Sequence, residues 1–341
     1  MSEPAAGHGR RVVFVGAVHE AEPALAALLA EPVDVVEVIT VPDDPGRVLS
    51  GQVDLAPLAR AGGVPLRRCA DINDTTEVAH LRLLAPDLLV VVGWTRLIGA
   101  QLLGVPGRGT IGFHASLLPR YRGRAPVNWA IIRGETETGN TMMYLDAGTD
   151  TGDVVDQRRV PVGPDDTCAD VYAAVAAAGA DMLRTQLPAL LDGTAPRRRQ
   201  GPSDGEVLPK RTPAMGVTDW ARPAGAVHDW VRALTAPYPG AFSLWAGRKV
   251  MLWGSEVGGA QPAGAAPGQV LDVGAEGVSV ATGTAALQVT SVSDPGGPAV
   301  PAAAWARASS LAVGDRFDPV DEATSRWALG RGVEPAAALA G

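Results

Sequence analysis

Residues 110–153 read TIGFHASLLPRYRGRAPVNWAIIRGETETGNTMMYLDAGTDTGD, and this stretch carries most of the chemical information in the chain. An apolar run from Gly109 predicts a strand that ends at His114. Asp150 follows in a loop between Gly148 and Gly152, where glycines allow a close backbone approach to a ligand. A His and an Asp without a Ser or Cys nucleophile favour general acid–base chemistry. The spacing alone fits a core histidine and a turn-capping aspartate equally well.

On the amino-terminal side of this stretch, short apolar runs alternate with segments of helical spacing. Strands are predicted at 11–17, 33–41, 64–69 and 88–92, and helices at 20–29 and 77–84. This alternation indicates a parallel sheet covered by helices on both faces. Ligands bind at the carboxyl ends of the strands in such sheets, which is where His114 is expected. The first strand ends without a G-x-G-x-x-G pattern, which argues against an NAD-dependent enzyme.

On the carboxyl-terminal side, the pattern changes twice. Strands at 141–145 and 154–160 have no helix between them, which predicts an antiparallel edge, and a long helix is predicted over 168–191. Short, evenly spaced strand candidates beyond residue 240 indicate a small barrel. The predicted boundaries are a disordered start at 1–10, a catalytic domain at 11–196, a linker at 197–213, a β-barrel domain at 214–321 and a tail at 322–341.

Composition narrows the class of protein. The chain has 341 residues, 46% of them hydrophobic, and a net charge of -8, which argues weakly against a nucleic-acid partner. Cys69 and Cys168 are far apart with no CxxC spacing, so core packing is expected rather than a disulfide or zinc site. The start has no apolar signal region, and no uninterrupted run of about 18 apolar residues follows, so a soluble cytoplasmic protein is expected.

The central stretch resembles the formyltransferases that use 10-formyltetrahydrofolate. Their motif pairs a His before S-L-L-P with a downstream D-x-G. This chain resembles the family in both parts, at His114 and at Asp150. Farther on, Asp219-Trp220, Arg232 and 237–242 (PYPGAF) resemble the start of the family's carboxyl-terminal barrel domain. The segments RGRAPVNW at 122–129 and GETETG at 134–139 look most like UDP-aminoarabinose formyltransferases, while methionyl-tRNA formyltransferases are similar over the same span.

The resemblance implies a Rossmann-like, mostly parallel catalytic domain and an OB-like barrel, with 10-formyltetrahydrofolate as the donor and no metal. It implies that His114 and Asp150 are catalytic. The loop Gly93-Trp94-Thr95-Arg96-Leu97-Ile98 falls where the family binds the pterin, so these residues are expected to bind folate. Ser116, Arg122 and Arg124 are expected to bind the acceptor substrate, the arginines through phosphate groups.

One position departs from the family pattern. The family usually carries Asn two residues before the His, with the implied role of holding the formyl oxygen as charge develops on it. This chain has Gly112 there. Candidate replacement donors are Asn128, protonated His114 and an ordered water.

Three functions remain open at this point. The favoured one is formyl transfer to an amino sugar nucleotide or a small amine of specialised metabolism. The alternative is methionyl-tRNA formyl transfer, which the net charge of -8 makes the lesser expectation. The third is a non-catalytic or hydrolytic folate-binding homologue, against which the intact His114–Asp150 pair argues. The amine and the oligomeric state are left open.

Overall fold

The computed structural model describes residues 10–44, 49–203 and 207–335. The chain divides into two compact units: Met1–Gly123, Glu137–Pro161 and Val171–Val207 form the first, and Arg124–Thr136, Val162–Asp170 and Leu208–Gly341 form the second. Two segments of the predicted catalytic domain therefore cluster with the second unit. Residues 1–9 of the predicted disordered start and 336–341 of the predicted tail lie outside the described residues.

The first unit contains, within its described residues, a seven-stranded sheet of order β3-β2-β1-β4-β5-β6-β7. Pairing is parallel as far as β5 and antiparallel from β5 to β7. The sequence predicts the antiparallel pairing of β6 with β7 but not that of β5 with β6. The strands are β1 Arg11–Gly16, β2 Asp34–Thr40, β3 Leu66–Arg68, β4 Leu88–Val92, β5 Thr110–His114, β6 Glu137–Tyr144 and β7 Val154–Pro161.

Helices cover this sheet on both faces: α1 Ala21–Leu29, α2 Ala56–Ala61, α3 Thr75–Leu84, α4 Ala100–Leu103 and most of α6 Cys168–Asp192. Successive side chains of a strand point to opposite faces, and both faces are buried here. In β1, Val12 and Phe14 belong to one apolar cluster, whereas Val13 and Val15 belong to another. Burial on both faces explains why β1 and β4 are continuous apolar runs rather than alternating ones.

The second unit is built on an antiparallel sheet of order β10-β11-β12-β9-β8, with β13 paired to β12. The predicted α/β domain followed by a small β domain is thereby confirmed. The strands are β8 Ala241–Trp245, β9 Arg248–Val257, β10 Val270–Gly274, β11 Gly277–Ala281, β12 Ala286–Ser293 and β13 Val300–Pro301, and the helices are α5 Pro126–Ile132, α7 Ala224–Leu234, α8 Ala302–Ser309 and α9 Glu322–Ala328.

Helix α9 lies in the segment predicted as a tail. It begins at a capping residue, Asp321, whose carboxylate accepts a hydrogen bond from the amide of Thr324 at 2.9 Å. Trp327 on this helix is 8% exposed, so the helix contributes to the packed unit. No helix in the described part of the chain is long and apolar enough to cross a membrane.

A half-buried arginine makes several contacts within the second unit. The Arg211 guanidinium lies 4.6 Å from the ring centroid of Trp129 and 4.8 Å from that of Trp230. It donates hydrogen bonds to the carbonyls of Met215 at 2.7 Å and Ala328 at 3.1 Å. Burial lowers the pKa of Arg211 to about 9, so the group is still charged at neutral pH. Two aromatic faces and two carbonyls thus replace part of the water around this cation.

Replacing Arg211 with Met should lower the free energy of unfolding by about 2 kcal/mol, because two buried carbonyls lose their donor and two rings lose a stacked cation. Urea denaturation followed by tryptophan fluorescence measures this. Arg307→Met is the control, since Arg307 is exposed on α8 of the same unit. Equal stabilities of the two variants would contradict this account of Arg211.

Candidate active site

Two neighbouring strands end at one edge of the first unit's sheet. β4 and β5 pair in parallel, with Leu89 opposite Thr110 and Val91 opposite Gly112. β4 ends at Val92, directly before the loop at 93–98, and β5 ends at His114. The carboxyl ends of adjacent parallel strands are where open α/β sheets bind ligands. The register therefore places His114 and the loop at 93–98 on the same edge.

His114 is held in a defined tautomer. Its side chain is buried, at 7% exposure, and Nε2 lies 2.7 Å from the carbonyl oxygen of Tyr121. A carbonyl oxygen can only accept, so Nε2 carries the hydrogen and donates it. Nδ1 lies 3.5 Å from Asp150 Oδ2, which is longer than an ordinary hydrogen bond. Nδ1 is therefore the ring nitrogen that makes no hydrogen bond to the Tyr121 carbonyl, and it faces a carboxylate.

The Asp150 carboxylate is oriented by the backbone. Its Oδ2 accepts a hydrogen bond from the amide of Gly123 at 2.8 Å, and the same oxygen faces His114. Asp150 has a φ of 53°, in the left-handed region that non-glycine residues seldom adopt. A non-glycine residue in this conformation is retained only where surrounding contacts hold it.

The turn after β5 keeps its shape through buried hydroxyl groups. Ser116 is fully buried, and its Oγ donates to the carbonyl of Arg120 at 2.7 Å. Its own carbonyl accepts from Thr141 Oγ1 at 2.6 Å. The structure therefore places Ser116, which the sequence suggested as a substrate contact, inside the turn with its hydroxyl already engaged.

The two predicted phosphate-binding arginines differ in their surroundings. Arg122 is half-buried, and its Nε donates to the carbonyl of Asp150 at 3.0 Å. Its Nη2 donates to Gln200 Oε1 at 2.6 Å. Arg124, by contrast, has an exposed side chain. Arg122 thus braces Asp150, and Arg124 is the one presented to solvent.

Gln200 is a site residue that sequence reasoning missed. It falls in the predicted linker, yet it contacts the backbone of the Asp150 loop. No local pattern marks it, because the residues that it binds are 48 to 78 positions away in the chain.

The loop expected to bind folate is partly buried. Gly93 has a φ of 60°, and a Cβ there would come within 2.7 Å of Val18 Cγ2. The indole nitrogen of Trp94 is buried without a hydrogen-bond partner among the described residues. Arg96 pairs with Asp71 at 3.4 Å, Ile98 is buried and Leu97 is exposed. Thr95 is intermediate in exposure.

Asn73 supports the end of this loop, and it too was missed in the sequence. Its side chain accepts a hydrogen bond from the amide of Gly99 at 2.6 Å and donates one to the carbonyl of Leu97 at 3.0 Å. Together these contacts tie the loop to the chain that precedes α3.

Gly112 lies in β5, opposite Met143 of β6. Being two residues before His114, it faces the same side of the sheet. A Cβ at this position would lie 2.9 Å from Leu145 Cγ, so Leu145 fills the space that a side chain would need. Asn128 was a candidate substitute donor, but it is fully buried on α5 and its amide nitrogen donates to the carbonyl of Ala233 at 2.6 Å.

The described part of the chain has no metal site built from cysteine, histidine or acidic side chains. Cys69 and Cys168 are buried free thiols, and burial raises the pKa of each to about 12. Across residues 10–44, 49–203 and 207–335, no three His, Cys, Asp or Glu side chains come together in a way that could hold a metal ion.

Comparison with known proteins identifies both parts of the chain. The formyl transferase family model matches residues 10–187, and the model of the formyl transferase carboxyl-terminal domain matches 210–310. Methionyl-tRNA formyltransferase of Moorella thermoacetica is 37% identical over 310 residues, covering 89% of this chain and 98% of that protein. The enzyme of the same name from Geobacter sulfurreducens is 36% identical over 314 residues, covering 91% and 97%.

Solved structures share the fold at lower identity. HypX from Aquifex aeolicus, in complex with tetrahydrofolic acid, superposes with a TM-score of 0.65 at 21% identity, covering 92% of this chain and 49% of that one. The N-formyltransferase from Helicobacter canadensis, in complex with folinic acid and dTDP-3-aminofucose, has a TM-score of 0.60 at 18% identity, covering 82% and 98%.

These findings correct two expectations. An amino sugar nucleotide or small amine as acceptor is contradicted, because the relatives at 36–37% identity over most of the chain are methionyl-tRNA formyltransferases. The view that tRNA is the lesser partner was wrong for the same reason. It rested on the net charge of -8, which sums over the whole chain and does not describe the local surface that a nucleic acid would meet. With both of its domains matched, the chain belongs to the formyl transferase family and is a formyltransferase.

Proposed function

We propose that this enzyme transfers the formyl group of 10-formyltetrahydrofolate to the amino group of methionyl-tRNA. The observation that carries the proposal is the 37% identity to a methionyl-tRNA formyltransferase, which extends over 98% of that protein and so includes both domains. The N-formyltransferase in complex with folinic acid and dTDP-3-aminofucose shares the fold at 18% identity, which says nothing about the acceptor of this chain.

The loop at 93–98 fits a folate donor. The buried indole N–H of Trp94 has no partner within the described residues, so it is a donor that a polar pteridine ring can satisfy. The same loop is braced by Asn73 and lies at the sheet edge beside His114. When bound, the folate supplies an activated formyl carbon. Gly93, Trp94, Thr95, Arg96, Leu97 and Ile98 are the residues proposed to hold it.

Proton transfer is the role proposed for His114 and Asp150. The acceptor amine loses a proton as its nitrogen bonds to the formyl carbon, and the folate nitrogen gains one as its bond to that carbon breaks. His114 Nδ1 can accept the first proton and return it to the leaving nitrogen, since Nε2 is already committed to Tyr121. The Asp150 carboxylate, 3.5 Å from Nδ1, stabilises the imidazolium that forms in between.

Exposed arginines offer binding groups for the tRNA backbone. Arg198 and Arg199, which are adjacent in the chain, are exposed on the first unit. Arginine binds phosphate in a bidentate manner, and such binding needs only a local concentration of positive charge. The negative total charge of the chain is compatible with this mode of binding.

Replacing His114 with Ala, or Asp150 with Asn, should lower kcat for formyl transfer by about 100- to 10,000-fold, the usual contribution of general acid–base groups. Formylated methionyl-tRNA is quantified over time under multiple-turnover conditions with saturating 10-formyltetrahydrofolate and methionyl-tRNA, and thermal melting confirms that the fold is kept. Losses below tenfold in both variants, with unchanged melting, would refute the roles of this pair.

Binding of methionyl-tRNA should weaken as salt rises, and Arg198→Ala with Arg199→Ala should reduce the salt slope by about one for each phosphate that is no longer neutralised. Filter binding at several salt concentrations measures this, with exposed Arg60 on α2 replaced by Ala as the control. Formylation of free small amines without formylation of methionyl-tRNA would overturn the proposed acceptor.

Replacing Gly112 with Asn should destabilise the protein by about 1–3 kcal/mol, because Leu145 occupies the space that the side chain needs. Adding Leu145→Ala should relieve the clash, so that the two changes are non-additive in thermal melting. The paired variant should also transfer formyl at least tenfold faster than Leu145→Ala alone, since one oxyanion donor is worth about 2.7–4 kcal/mol. Equal rates would show that the site has no use for a donor at this position.

A further inference from the structure

The chain after α6 returns to the active-site edge of the first unit. The amide of Arg198 donates to the carbonyl of Val154 at 3.0 Å, and the amide of Val154 donates back to the carbonyl of Arg198 at 2.8 Å. This bridge fixes the segment beside the start of β7, where the Asp150 loop enters the sheet. Gln200, two residues farther on, is thereby brought to the loop.

The Gln200 amide uses both of its ends. Nε2 donates to the carbonyl of Asp150 at 2.9 Å and to the carbonyl of Gly152 at 2.8 Å. Oε1 accepts from Arg122 Nη2 at 2.6 Å and Nε at 3.2 Å. The opposite orientation would turn Nε2 towards a guanidinium and Oε1 towards two carbonyls, so the network permits one orientation alone.

Gln200 and Arg122 both donate hydrogen bonds to Asp150, whose backbone lies in the left-handed region. The carbonyl of Asp150 accepts from Arg122 Nε as well as from Gln200 Nε2, while Asp150 has a φ of 53°. Because φ determines where the Asp150 side chain leaves the backbone, holding the carbonyl also holds the carboxylate. That carboxylate in turn faces Nδ1 of His114 and the amide of Gly123.

We propose that Gln200 is a positioning residue for catalysis, which together with Arg122 fixes the Asp150 carboxylate against His114. The inference rests on the proposed roles of His114 and Asp150. Gln200 acts indirectly, because its hydrogen bonds go to the backbone of the Asp150 loop and to Arg122. Its effect is therefore on the proton-transfer step and not on the binding of donor or acceptor.

The first test is the kinetics of Gln200→Leu and Gln200→Glu. Leucine removes every hydrogen bond, whereas glutamate keeps the length and the acceptor for Arg122 but places an anion against two carbonyls. Both should lower kcat by about 10- to 100-fold, in line with the cost of small misplacements of catalytic groups. The KM for 10-formyltetrahydrofolate and for methionyl-tRNA should change less than about twofold, since Gln200 touches neither substrate in this proposal. An unchanged kcat in both variants overturns the proposal.

A matched control separates positioning from stability. Gln186 on α6 donates to Asp156 on β7 at 3.1 Å, so Gln186→Glu also loses a donor in the same unit. It should lower the melting temperature and leave kcat unchanged. If kcat falls equally in Gln186→Glu and Gln200→Glu, the effect at residue 200 is general destabilisation and the proposal fails.

The decisive measurement combines Gln200→Leu with Asp150→Asn. If Gln200 works through Asp150, the paired variant should be no slower than Asp150→Asn alone. Multiplying losses would overturn the positioning role while leaving the proposed function intact. Full activity of both Asp150→Asn and His114→Ala would instead refute the proposed roles of this pair, and a wild-type enzyme that does not formylate methionyl-tRNA would refute the proposed function, so these failures are distinguishable. Should Gln200→Leu not fold, Gln200→Asn, which shortens the reach of the amide, replaces it in the same cycle.

Discussion

The pairing of β5 on both of its sides is the constraint on which the site depends. β5 runs parallel to β4 and antiparallel to β6, so the sheet changes direction at this strand. Its end carries His114, and the strands on either side bring the loop at 93–98 and Thr141 to the same edge. Because strand register admits no intermediate positions, a slip of one residue would turn His114 to the opposite face.

Strong local patterns made much of the first unit predictable. β1 and β4 are apolar runs of five or six residues buried on both faces, and β5 ends at a histidine within a recognisable motif. The start of β6 was missed because Thr138 and Asn140 are polar and yet buried, with the Asn140 amide bonded to the carbonyl of Val175. Helix α5 was missed because it is short and buried all round, which leaves no amphipathic period to detect.

In the candidate site, too, residues in short sequence motifs could be predicted, whereas residues that are linked by long-range hydrogen bonds could not. His114 and Asp150 could be predicted as a pair because each lies in a short motif, and Gly112 could be identified as a departure from one. Gln200, Asn73 and the contact of Arg122 with Asp150 depend on hydrogen bonds across 24 to 78 positions of the chain. Net charge failed as a guide to the acceptor, because the sum over the whole chain does not describe the local surface that a nucleic acid would meet.

The short bridge between Val154 and Arg198 determines where the catalytic domain can be truncated. The family model of the first domain ends at residue 187, before this bridge and before Gln200. A catalytic domain truncated at residue 187 would keep its sheet, His114 and Asp150. It would lose the segment whose Gln200 donates hydrogen bonds to the Asp150 loop. A fusion or graft of this domain should therefore include the segment from residue 188 through Gln200. The chain that leads to the next domain thus supplies contacts to the Asp150 loop.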